Sequence, residues 1–156
     1  MSNIKIGQKV PDFVRPATGD KTIKLSELKG KNVILYFYPK DNTPGCTTEG
    51  QDFRDNRARF SRNNTVILGV SRDSVKSHEG FKSKFEFTFD LISDEDETLC
   101  KLFDVIKMKK MYGKDVRGIS RSTFLIDKEG KLRAEWRDVK VAGHVDEVLQ
   151  TVKELE

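Results

Sequence analysis

Residues 33–49 read VILYFYPKDNTPGCTTE. The first six, 33–38, form an unbroken apolar, β-branched and aromatic run, which suits a central strand covered on both faces. PKDNTPG at 39–45 is a cluster of turn formers that ends the strand. From Cys46 to about Phe60 there is no proline and Gly50 is the only glycine, so the stretch predicts a helix. Thr43 can cap that helix and Pro44 suits its first position, which puts Cys46 in the first turn. The local unit is therefore a buried strand, a tight turn and a helix start with a cysteine at the junction.

Downstream, TVILGV at 65–70 reads as a second buried strand, and 74–85 follows with Val75, His78, Phe81 and Phe85 at helical spacing. A short strand is expected near Leu91. Ser93 with Asp96 then forms a capping-box pattern ahead of a helix carrying Leu99, Leu102 and Phe103. Residues 105–120 read as a polar, basic loop. STFLI at 122–126 predicts a strand and DKEG at 127–130 a turn. The 131–136 stretch alternates, with Leu132, Ala134 and Trp136 on one face, so the pair makes a hairpin. Val145, Val148, Leu149, Val152 and Leu155 give the clearest amphipathic helix.

The order βαβ, an insertion, then ββα is that of an α/β, thioredoxin-like fold: a mixed central sheet flanked by helices in three layers, with an N-terminal extension and a central insertion. The chain shows no repeat or linker, and its 156 residues fit a single domain, 1–156. In such sheets ligands bind beyond the carboxyl ends of the strands. The loop carrying Cys46 lies there.

The 29 basic and 25 acidic residues leave a net charge of +4, with the signs interleaved. The charged fraction, 35%, exceeds the usual ~25% and points weakly to a heat-adapted source. One basic cluster, Lys107, Lys109, Lys110, Lys114 and Arg117, reads as a solvated loop. It has neither a helix-turn-helix pattern nor the aromatic strand signature of a common RNA module, so no nucleic-acid partner is expected. Nothing approaches the ~20 apolar residues of a membrane span, and the start, MSNIKIGQKVPDF, has no leader pattern. The expectation is a cytoplasmic protein with no membrane partner. With two cysteines and two histidines, neither a structural metal nor a secreted disulfide framework is expected. His78 and His144 read as a helix-face and a helix-start residue, Trp136 as hairpin packing.

A helix start presents unpaired N–H groups and about half a positive charge, which favour a thiolate over a thiol. A free cysteine near pKa ~8.5 is only a few per cent ionised at neutral pH, whereas such positions lower the value to the ~3.5–7.5 range. Cys46 is accordingly a candidate nucleophile, expected to be exposed between its turn cluster and its helix. Ionisation alone adds no more than about thirtyfold, so a fast thiol enzyme must also stabilise charge developing on its substrate. Candidate donors are the Thr43 hydroxyl, the backbone N–H groups of Gly45 and Cys46, and an arginine from elsewhere.

Pro39, Thr43 and Cys46 form the pattern PxxxTxxC, Glu49 stands three residues after the cysteine, and RSTFLIDKEGKL occupies 121–132. In these features the chain resembles the peroxiredoxins, and from about Gly7 to Leu155, including KVPDF and LISDED, the peroxiredoxin Q (bacterioferritin comigratory) group. The resemblance implies a thiol-dependent peroxidase acting on hydrogen peroxide and organic hydroperoxides without a cofactor. It implies that Cys46 attacks the distal peroxide oxygen and becomes a sulfenic acid, that Thr43 and backbone amides hold the peroxide, and that Arg121 steadies thiolate and transition state. Pro39, Gly45 and Glu49 would support the site.

Gln51 stands where many members of that group carry a second, resolving cysteine, and SHEGFKSK at 77–84 has none either. Cys100, in TLCKLF, reads as a buried core residue. A one-cysteine cycle completed by an external thiol or a thioredoxin-like reductant follows, with a Cys46–Cys100 disulfide as the alternative. A thioredoxin-type dithiol exchanger is disfavoured because CTTE has no second cysteine. A non-catalytic nucleic-acid module would need the 107–117 cluster to bind phosphates. A monomer or a homodimer is expected.

Overall fold

The computed structural model describes residues 4–155. Its strands are β1 Val14–Ala17, β2 Lys21–Lys24, β3 Asn32–Phe37, β4 Thr65–Ser71, β5 Asp90–Ser93, β6 Ile106–Met111, β7 Lys114–Ile119, β8 Ser122–Ile126 and β9 Leu132–Trp136. The helices are α1 Pro44–Asp55, α2 Arg57–Arg62, α3 Val75–Lys84, α4 Thr98–Leu102 and α5 His144–Lys153. Seven strands make one mixed sheet in the order β2-β1-β5-β4-β3-β8-β9. β3, β4 and β5 run parallel, and the other pairings are antiparallel. β3 is fully buried at the centre, as its continuous apolar run requires.

Alternation along the strands sorts the side chains into two cores, one on each face. Ile34, Tyr36, Ile67, Leu91 and Leu125 pack with Phe53 of α1, Phe60 of α2, Phe81 of α3 and Val145, Val148, Leu149 and Val152 of α5. Val33, Leu35, Phe37, Leu68, Val70, Ile92 and Phe124 pack on the opposite face with Leu99 and Cys100 of α4 and with Ile4, Val10, Phe13 and Leu25 from the N-terminal extension. The two cysteines therefore lie on opposite sides of the sheet, Cys46 in the first core and Cys100 in the second.

Four expectations need correction. Residues 105–120 are not a loop, because β6 and β7 form a separate two-stranded hairpin closed by Tyr112 and Gly113, both at positive φ. That is the backbone of a two-residue hairpin turn, written without the Asn-Gly or Asp-Gly pair that usually signals it. Its strands are largely exposed, so no apolar alternation marks them. The helix after Cys46 breaks at Asn56, which ends α1 and precedes α2 while its side-chain amide donates to the Asp52 carbonyl. Ser93 and Asp96 make no capping box: Ser93 Oγ donates to the Asp73 carbonyl, and Asp94 accepts the amides of Leu99 and Cys100 at the start of α4. Leu132 does not share a face with Ala134 and Trp136, because a bulge opposite Leu125 and Ile126 turns it into the other core.

Candidate active site

The turn after β3 delivers Cys46 to the third position of α1, just beyond the carboxyl end of the central strand. Asn42 takes positive φ, which asparagine tolerates better than most residues. Thr43 occupies the N-cap position with extended backbone, but its hydroxyl donates to the Lys40 carbonyl at 2.8 Å instead of capping the helix. The first-turn amides are thus free of a side-chain cap and the turn is tied internally. Pro39 is half-buried where the strand ends.

Cys46 is only 2% exposed, contrary to the exposure expected from its turn cluster. The turn is at the surface, but the side chain packs into the core shared with Tyr36 and Phe53. Arg121 is in the short link between β7 and β8, and its Nη2 lies 3.4 Å from Cys46 Sγ. Its Nη1 donates to Glu49 Oε1 at 2.6 Å. One planar guanidinium is thereby locked by an acid one helical turn beyond the cysteine and aimed at the sulfur. Gly45 permits this approach, since a Cβ there would sit 3.1 Å from Arg121 Nη2.

Glu49 is fully buried, and its Oε2 has no hydrogen-bond partner among the described residues. Burial pushes its carboxyl up to about 7, against the pull of the Arg121 charge. Lys109, which the sequence groups with a solvated charge run, is half-buried and donates through Nζ to the Ile119 carbonyl at 2.6 Å. Burial lowers its pKa, and the neighbouring Arg121 charge lowers it further. His144 pairs with the Thr123 hydroxyl at 2.8 Å, and burial drops it to about 4, so it is neutral at neutral pH.

The structure brings Gly45, Cys46, Glu49 and Arg121 together, with Thr43 in the adjoining turn. Cys100 is not part of this group. It is fully buried across the sheet, and burial together with the Asp94 carboxylate raises its thiol pKa far above the ordinary range. Sequence reading missed Asp41 and Asp73, and it gave His78 no more than a helix-face position. Asp41 lies inside PKDNTPG, where a turn-forming role hides any other.

The AhpC/TSA family model matches residues 6–135. The chain belongs to this family. It is 54% identical to peroxiredoxin Bcp of Bacillus subtilis over 97% of both chains. Identity to peroxiredoxin Bcp of Xanthomonas campestris is 59%, over 91% of this chain and 89% of that one. In structure it matches a cysteine-to-serine variant of Xylella fastidiosa PrxQ with a TM-score of 0.93 at 47% identity, covering 99% and 98% of the two chains. It also matches a Xanthomonas campestris bacterioferritin comigratory protein, described for its alkyl peroxide reduction activity, with a TM-score of 0.89 at 49% identity over 99% and 98%. This chain is a thiol-dependent peroxidase with a thioredoxin-like, mixed-sheet α/β fold, and as such it uses a peroxide and a reductant. No helix among the described residues is long and apolar enough to cross a membrane.

Proposed function

We propose that Cys46 is the peroxidatic thiolate of a one-cysteine cycle. The observation carrying this reading is the Arg121 fork, bound to Glu49 on one side and to Cys46 Sγ on the other. The thiolate attacks the distal oxygen of ROOH, an S–O bond forms as the O–O bond breaks, and the departing alkoxide takes a proton to leave as alcohol or water. Arg121 and the first-turn amides of α1, Gly45 and Cys46, stabilise charge passing from sulfur to the leaving oxygen. Glu49 holds Arg121. Thr43, through its bond to Lys40, shapes the turn over which peroxide enters beside Pro39.

Cys46 then carries a sulfenic acid, and an external thiol attacks its sulfur to give a mixed disulfide and water. A second thiol, free or on a thioredoxin-like protein, releases Cys46 and becomes the oxidised product. The position of Cys100 beyond the sheet, with its thiol held protonated, favours this over an internal disulfide, which needs α-carbons within about 7 Å. The alkyl peroxide activity of the Xanthomonas relative supports organic hydroperoxides, besides hydrogen peroxide, as substrates.

We also infer a single functional domain, because the N-terminal extension and the strands β8 and β9 contribute to one sheet and pack together in the core on one of its faces, while α5 covers the other face. A cytoplasmic location, no nucleic-acid partner and a monomer or homodimer complete the reading. Peroxide consumption with a supplied thiol should vanish in Cys46→Ser and persist in Cys100→Ser. Near-normal turnover by Cys46→Ser would overturn it.

A further inference from the structure

The turn that leads into Cys46 rests on a buried polar group that the peroxide chemistry does not use. Asp41 Oδ1 accepts the Tyr38 hydroxyl at 2.6 Å, and Oδ2 accepts the Ser77 hydroxyl at 2.8 Å. The same Oδ2 lies 2.7 Å from Nδ1 of His78, whose side chain is wholly buried. His78 Nε2 is 2.9 Å from the Ile92 carbonyl, which can only accept, so Nε2 carries a hydrogen. A second hydrogen must lie between Nδ1 and Oδ2, since two lone pairs at that distance repel. Tyr38 and Ser77 both donate to the Asp41 carboxylate, which thus acts as acceptor towards each of its side-chain neighbours, and that places the hydrogen on the nitrogen.

We propose that His78, protonated on both ring nitrogens, and Asp41 form a buried ion pair that positions the Cys46 turn. Asp41 stands two residues before Thr43 and five before Cys46, whereas His78 is fixed to α3 and β5. The pair therefore pins the approach to α1 against a rigid part of the sheet. Asp73, after β4, adds a second tie by accepting the Asp41 amide at 2.9 Å and the Ser71 hydroxyl at 2.6 Å. The ionisable groups around His78 are thus Asp41 of the turn, Asp73 after β4 and Tyr38 beyond β3, with Ser77 on its own helix and a carbonyl of β5 as its uncharged neighbours. Burial and the Asp41 charge keep the Tyr38 phenol protonated as a donor. Asp41, Asp73 and His78 could each offer one atom to a metal ion within 4.8 Å of the others. Those atoms already have protein partners, and a proton satisfies the geometry without an ion.

The role rests on Cys46 being the attacking residue, and it is tested in two parts. Long-range ¹H–¹⁵N correlation of the ¹⁵N-labelled wild-type protein at neutral pH should show both His78 ring nitrogens protonated. A signal from an unprotonated Nδ1 would overturn the ion pair, whatever the role of Cys46. In stopped-flow kinetics, Asp41→Asn and His78→Gln should each slow Cys46 oxidation by hydrogen peroxide about tenfold or more, as expected for a displaced nucleophile. Reduction of the preformed sulfenic acid by a small thiol should stay within about twofold, because that step removes no turn-dependent contact with peroxide. Equal losses in both half-reactions, or none in either, would contradict a positioning role. Should either variant fail to fold, the wild-type spectrum still decides the ion pair. Turnover retained by Cys46→Ser alongside a doubly protonated His78 would instead fault the Cys46 assignment.

Discussion

Arg121 has two partners for one planar group, and its consequences can be separated by substitution. Arg121→Met keeps much of the length but removes the donor to Cys46 Sγ and leaves Glu49 buried without its cation. Peroxide consumption should fall by roughly 10²–10³-fold, the range for losing one preorganised donor to transition-state charge. Alkylation of Cys46 by iodoacetamide at neutral pH should slow as well. Unchanged alkylation would place the functional contact elsewhere. Thr43→Val should lose far more activity than Thr43→Ser, because only serine keeps the hydroxyl that ties the turn to the Lys40 carbonyl. Steady-state peroxide assays check this, and equal losses would leave the amides as the working donors.

Glu49 gives the residue scale a pH dependence. Its value rises from 4.5 to about 7 in the folded protein, so the folded state holds this proton more tightly than the unfolded chain does. The resulting stabilisation is complete below about pH 4.5 and disappears as pH rises through 7, by on the order of 3 kcal/mol at most. Glu49→Gln should flatten the stability profile across that window, measured by urea unfolding at several pH values. A slope identical to that of the parent protein would show that the carboxyl does not titrate there.

At the scale of elements, Gly50 lets α1 pack closely on the segment joining α3 and β5, where an added Cβ would come within 2.4 Å of the Phe87 ring. Phe87 is buried and stacked on Phe89, so the ring cannot simply swing away. Gly50→Ala should therefore destabilise by about 1–3 kcal/mol despite the better helix propensity of alanine. A lower thermal midpoint checks this, and a raised one would mean that the helix can shift.

The elements legible in sequence were those whose environment writes a pattern: β3 and β4 as continuous apolar runs, α5 as an apolar stripe. The β6–β7 hairpin was hidden because its strands bury almost nothing, and the β9 bulge because strict alternation is the same text with or without it. Cys46, Glu49 and Arg121 were readable from local spacing and a family pattern. Asp41 and His78 were not, because their meeting depends on β3, α3 and β5 converging across 37 residues of chain.

For the whole molecule, the decisive feature is that the sheet divides the two sulfurs. Cys46 sits with α1 on one face and Cys100 with α4 on the other, an arrangement that opposes a crosslink between them. In the one-cysteine cycle proposed above the oxidised sulfur is left to outside thiols, and without one it should advance under excess peroxide to the sulfinic acid. Intact mass measurement after one equivalent of peroxide, with a sulfenic-acid trap and non-reducing peptide mapping, tests this most directly. The expected result is one trapped oxygen adduct on the Cys46 peptide with Cys100 left as a free thiol; a Cys46–Cys100 crosslink in high yield, or an adduct carried by Cys100, would contradict it.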